Sequence, residues 1–131
     1  MMSININIGD AFLLETPPNY QHLYIAIAPT SNNKYLFVNL TKRRSIYETV
    51  CVLQPNTVGV PSYVKAESVI AYRFARELDA HQLAIDICEG SRIPKCTFSP
   101  DILDKIQQGG VISNRIEPRH KRALKQFLNI P

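Results

Sequence analysis

Tryptophan is absent from this chain, paired cysteines are absent, and so is any glycine-rich phosphate loop. The three cysteines, Cys51, Cys88 and Cys96, form an odd set without paired spacing. That argues against a secreted disulfide scaffold and for a reducing compartment. No apolar run approaches the roughly 20 residues that a membrane span needs. The opening "MMSININIGD" has neither a basic n-region nor a long apolar core, so no signal peptide is expected. The expectation is a cytoplasmic protein without membrane attachment. Gly109-Gly110 lacks a preceding strand and a following Lys-Ser/Thr, which excludes a P-loop and reads as a helix stop. No serine occupies a nucleophile elbow. His22, His81 and His120 lie far apart and share no ligand spacing with the cysteines, which read as buried structural thiols. Asp101 and Asp104 stand where carboxylates favour a helix dipole. No metal and no organic cofactor is expected.

What is present is globular: 45% hydrophobic and 20% charged residues in 131 positions, enough for a single domain. Nine prolines and many Val, Ile and Tyr residues favour short strands joined by sharp turns. "AFLLET" follows Gly9-Asp10 and ends at Pro17-Pro18-Asn19, one strand between turn signals. "HLYIAIA" at 22–28 is nearly continuous in apolar character, which suits a central strand buried on both faces. Further strands are expected at 35–41, 49–53 and 68–72, about five in all. Short strands with frequent turns point to a small barrel or a strongly bent sheet.

The pattern then changes to helix. Asp79 stands at an N-cap position ahead of Leu83, Ile87 and Cys88, with Gly90 as a stop. Ser99-Pro100-Asp101 opens a second helix whose apolar face is Ile102, Leu103 and Ile106. A last helix begins at Pro118, with Ala123, Leu124, Phe127 and Leu128 inward and basic residues outward. The reading is a β-rich α+β chain, a barrel over about 9–78 with a helical C-terminal third over about 79–131.

The formal charge is +4, a modest excess that permits an anionic partner. The basic residues cluster. In "KYLFVNLTKRRS" a buried-looking strand runs straight into Thr41, Lys42, Arg43, Arg44 and Ser45. One reading is a solvated turn that keeps an edge strand soluble. The other is a strand end prepared to meet phosphate. A second cluster, "PRHKRALKQFL", fits the charged outer face of an amphipathic helix. Arg73 and Arg76 straddle the end of the fifth strand, where they suit pairing with Glu77 or Asp79 as well as contact with a ligand.

Three stretches, in order, carry a resemblance to a family. "GDAFLLE" is similar to the opening strand of the PemK/MazF superfamily, the SH3-like barrels of plasmid-maintenance and growth-inhibitor toxins. "FVNLT" resembles the strand that ends at the family's active-site threonine, which puts Thr41 there, and "SVIAYRFARELDAHQL" resembles its late strand and following helix. The resemblance implies an SH3-like barrel that binds single-stranded RNA, cuts it without metal, dimerises and is neutralised by an antitoxin protein. It would give Thr41 and His22 catalytic positions, with Lys42, Arg43 and Arg44 on phosphates and Tyr20, Tyr24 or Tyr47 stacking bases. The chain departs from the pattern at "TPPNYQH", which lacks the family's arginine; His22 lies near that place, and an imidazole can move protons near neutrality. A protein-interaction module on the same barrel, without a nucleic-acid role, is the competing expectation.

Overall fold

A computed structural model describes residues 6–16, 20–31, 33–44, 47–83 and 94–131, with the side chains at 15, 16, 20, 21, 94 and 95 left aside. Its described residues form β1 (Asp10–Thr16), β2 (Tyr20–Ser31), β3 (Lys34–Lys42), β4 (Val52–Leu53), β5 (Ser68–Asp79) and β6 (Pro94–Thr97). Two helices follow, α1 (Pro100–Ile112) and α2 (Pro118–Leu128). The strands make one antiparallel sheet in the order β4-β5-β3-β2-β1-β6, curled into a half-barrel. The protein is thus a β-rich α+β small barrel with a helical C-terminal part. Among the described residues no helix is long and apolar enough to cross a membrane.

The alternation of β2 explains why its sequence is apolar throughout. Leu23, Ile25 and Ile27 join the main core with Leu36, Val38, Leu40, Ile70 and Tyr72. Tyr24 and Ala26 point the other way, into a second cluster with Ile6, Phe12, Leu14, Phe37 and Leu83. A strand covered on both faces has no polar side to show. Phe12 and Phe37 meet edge to face at 6.1 Å in the second cluster. The Gly9-Asp10 pair ties three segments together. The Gly9 amide donates to Ala26, its carbonyl accepts from Phe98, and the Asp10 carboxylate accepts from the Asn7 amide and the Thr97 hydroxyl, each at 3.0 Å or less.

The helices close the open face of the sheet. Ser99 is the N-cap of α1, its hydroxyl accepting from the Ile102 amide, and Pro100 takes the first turn, as its sequence implied. Ile106 is fully buried, and Ile102 and Leu103 pack beside it. The register between β2 and β3 slips at Ile27, leaving that residue between the pairs Ala26–Phe37 and Ala28–Leu36. Buried Gln107 donates its amide to the Ile27 carbonyl at 2.9 Å, so the polar group at the irregularity is satisfied from the helix.

Several expectations need correction. The sheet has six strands, because Pro94–Thr97 adds to β1 from within the stretch read as helical. The fourth strand is only Val52–Leu53, and the fifth runs on from Ser68 to Asp79. Asp79 does cap a helical turn, its carboxylate accepting from the His81 and Gln82 amides; the rest of that helix and Cys88 lie outside the described residues. Gly109-Gly110 is not a stop. Both lie inside α1, which runs on to Ile112 and is capped by Ser113. A Cβ on Gly109 would stand 2.2 Å from the Tyr72 hydroxyl, and one on Gly110 2.6 Å from Leu124 Cδ2. The pair is there for close approach, which costs helix propensity but lets sheet and α2 touch the helix backbone. On α2, Leu124 is buried and Phe127 is 43% exposed, while His120, not expected inside, is buried.

Candidate nucleic-acid interface

The candidate site lies at the far end of β3. β3 pairs with β5 up to its own last residue and β5's first, Thr41 with Val69 and Lys42 with Ser68, so the strand delivers Thr41 to the rim before the chain turns. His22 sits one position beyond the last β2–β3 pair, Leu23 with Leu40, and therefore reaches the same rim. His22, Thr41, Lys42, Arg44, Tyr63 and Lys65 all line one hollow of about 800 Å³, floored by Leu23, Leu40 and Val64. The volume lies within the usual range for ligand sites, roughly 300–1,000 Å³. A second hollow adjoins it across Lys42, Arg44 and Ala66, and adds Arg43, Tyr47, Thr49 and Glu67 to the wall.

The three consecutive cations are not equivalent. Arg43 forms an ion pair with Glu67, and its amide donates to the Glu67 carbonyl at 3.1 Å. The Arg43 hydrogen bond holds the Glu67 carboxyl below its ordinary range. Lys42 and Arg44 are exposed, and no carboxylate among the described residues pairs with either. Arg43 fastens the loop to the segment before β5, while Lys42 and Arg44 carry charge toward solvent. Two cations on one hollow with an apolar floor, uncompensated among the described residues, raise the local concentration of anions.

The tyrosines separate clearly. Tyr47 is half-buried on the wall of the second hollow, its ring edge-on to Phe74 at 6.5 Å. Tyr24 is 3% exposed, with the Arg76 guanidinium 5.0 Å from its ring centroid and the Asn39 amide donating to its hydroxyl at 3.4 Å. That ring packs in the second core cluster. The side chain of Tyr20 lies outside the described residues. The structure therefore brings together His22, Thr41, Lys42 and Arg44, sets Arg43 and Tyr47 on the adjoining wall, and buries Tyr24.

Tyr63 and Lys65 were missed by sequence reasoning. They belong to 54–67, a stretch without strand or helix whose only signal is an aromatic and a cation following Pro61. Tyr63 is 44% exposed, an unusual display of a large ring beside two cations. Among the described residues no group of three or more His, Cys, Asp or Glu side chains is placed to hold a metal ion.

No protein-family model matches the chain, and no curated protein sequence does. A solved structure does: a chain of the MazE–MazF complex from Deinococcus radiodurans, at a TM-score of 0.54 and 14% identity, covering 98% of this chain and 100% of that one. The likeness is one of fold. It extends over the barrel and the C-terminal helices together, a wider reach than the three sequence stretches had.

Proposed function

We propose that this protein is a MazF-like RNA-binding barrel whose rim groove holds one strand of RNA, with a phosphodiester at Thr41. The observation that carries the reading is the convergence of His22 from β2, and of Thr41, Lys42 and Arg44 from the end of β3, on one hollow. A hydroxyl and two cations without a carboxylate partner among the described residues suit a phosphate, and Tyr63 and Tyr47 offer ring surface on either side for unpaired bases. Duplex RNA is too stiff to splay its bases onto such rings, so the substrate class is single-stranded.

The same geometry supports metal-independent cleavage by the RNA's own 2′-hydroxyl. That oxygen would attack the adjacent phosphorus, its proton passing to the His22 imidazole, as the bond from phosphorus to the 5′-oxygen breaks. The leaving oxygen takes a proton from water, the imidazolium returns its own to solvent, and a cyclic phosphate and a 5′-hydroxyl remain. Lys42 and Arg44 would stabilise the charge that builds on the phosphoryl oxygens, and Thr41 would hold one of them. An antitoxin-type protein and a second copy of this chain are the protein partners proposed with this reading.

The test is incubation of purified protein with long single-stranded RNA in EDTA, beside Thr41→Ala and His22→Ala. Cleavage by the parent and its loss in both variants is the expected result. RNA left intact by the parent removes the cleavage mechanism. If RNA is neither cut nor bound and a protein partner is captured stably, the barrel is an interaction module instead.

A further inference from the structure

β5 contains an irregularity that the proposed groove does not use. Ala71 pairs with Asn39 and Arg76 with Phe37, so the four residues 72–75 stand opposite Val38 alone. Tyr72 and Ala75 turn inward and are buried, while Arg73 and Phe74 are pushed outward. Phe74 is 40% exposed, and the Arg73 guanidinium lies over its ring at 4.8 Å from the centroid. Tyr47 meets the same ring edge-on, and Tyr47 also walls the hollow beside Lys42 and Arg44. The nearby carboxylate of Glu48 is engaged elsewhere, accepting from the Ser113 hydroxyl at 2.7 Å. A bulge that re-aims side chains in this way is a common device next to binding sites.

We propose that Phe74, Tyr47 and Arg73 form a second subsite, which stacks an unpaired nucleobase of the same RNA strand beyond the phosphate held at Lys42 and Arg44. The proposal rests on the RNA-binding reading of the groove. The occupant is a base because the surface is aromatic and flanked by cations. An apolar peptide would leave Lys42 and Arg44 without partners, whereas a nucleotide supplies a π-face and an adjacent phosphate together. The path runs from Thr41 across Arg44 and Tyr47 to Phe74, so the subsite matters only for strands long enough to span it.

The chain has no tryptophan, so Phe74→Trp would introduce a unique fluorophore at the subsite. Uncleavable 2′-O-methylated single strands of about 4 and about 12 nucleotides sample the short and the longer footprints usual for single-strand sites. Phe74→Trp should bind the longer strand as the parent does, with its emission quenched. Phe74→Ala should bind it roughly tenfold more weakly, at unchanged melting temperature, and hold the shorter strand as before. Bound strand with unquenched emission, or equal affinity of Phe74→Ala and parent for the longer strand, overturns the subsite and leaves the groove standing. The subsite is likewise overturned if Phe74→Ala alters only the mass of the protein in solution, because the ring then serves a contact between copies. A parent that binds neither strand overturns the groove and the subsite together.

Discussion

The Tyr72 hydroxyl donates to the Ile106 carbonyl at 2.6 Å, across a helix surface from which Gly109 has removed the side chain that would block it. The bond joins β5 to the middle of α1 and satisfies a hydroxyl that burial would otherwise strand. It also accounts for a glycine in a helix interior.

Gly109→Ala should therefore destabilise the protein despite alanine's better helix propensity. The propensity gain is about 1 kcal/mol, while the overlap with a fully buried Tyr72 costs about 1–3 kcal/mol and breaks the bond besides. Tyr72→Phe alone should cost about 1 kcal/mol. The double variant should be more stable than the sum of the two predicts, since the missing hydroxyl relieves the clash. Urea unfolding of all four proteins measures this; strict additivity would contradict the close approach.

His120 governs the acid side. Both ring nitrogens are buried without a hydrogen-bond partner among the described residues, where α2 rests on β2 and α1. Burial lowers its pKa, and the neighbouring Arg119 lowers it further; Glu117 and, from β5, Glu77 raise it in part. The folded protein then holds fewer protons than the unfolded chain, so the contribution is intact above the ordinary histidine value of 6.5 and lost as the pH falls through the folded one. The melting temperature should drop between pH 7.5 and pH 5.5, and His120→Leu should flatten that drop. An equal drop in both proteins would place the acid sensitivity elsewhere.

The alkaline side belongs to the core thiols and Tyr72. Burial pushes the Cys96 thiol up to about 11, with Asp10 adding to the shift. Burial also raises Cys51, against Lys105 and Tyr72, and raises Tyr72 itself. These groups keep their protons longer when folded, so their contribution is whole below the ordinary thiol value of 9.0 and declines as the pH rises beyond it. The urea midpoint should fall between pH 8 and pH 10, and less steeply in Cys51→Ala. A flat parent profile would contradict it.

How much of this was legible in the sequence depends on whether a residue's meaning is local. The double burial of β2 could be read from "HLYIAIA", because a strand with no polar face has few alternatives. The Ser99-Pro100 start and the Asp79 cap could be read because capping is chemistry among neighbours in the chain. Gly109-Gly110 could not, since a helix stop and a close approach use the same residue and only Tyr72 and Leu124 distinguish them. β6 escaped because four residues beginning with proline acquire strand geometry only by pairing with β1. At the site, "FVNLT" marked Thr41 as the end of a strand, but the split between a paired Arg43 and an exposed Arg44 depends on Glu67, more than twenty residues away in sequence.

That split yields a prediction. Glu67→Gln should release Arg43 and strengthen single-stranded RNA binding, whereas Arg43→Ala should weaken it less than Arg44→Ala does. Competition binding at fixed salt compares the three. Equal losses from the two arginine variants would mean that the Arg43–Glu67 pair opens in the complex.

The measurement that bears most directly on the whole account is the salt dependence of single-stranded RNA binding by the parent and by Lys42→Ala/Arg44→Ala. Each phosphate neutralised contributes about 0.7 to the slope of log affinity against log salt. The account predicts a shallower slope in the double variant, by roughly 1.4, together with weaker binding at low salt. Superimposable curves would show that Lys42 and Arg44 meet no phosphate and that the groove at the end of β3 is not where RNA lies.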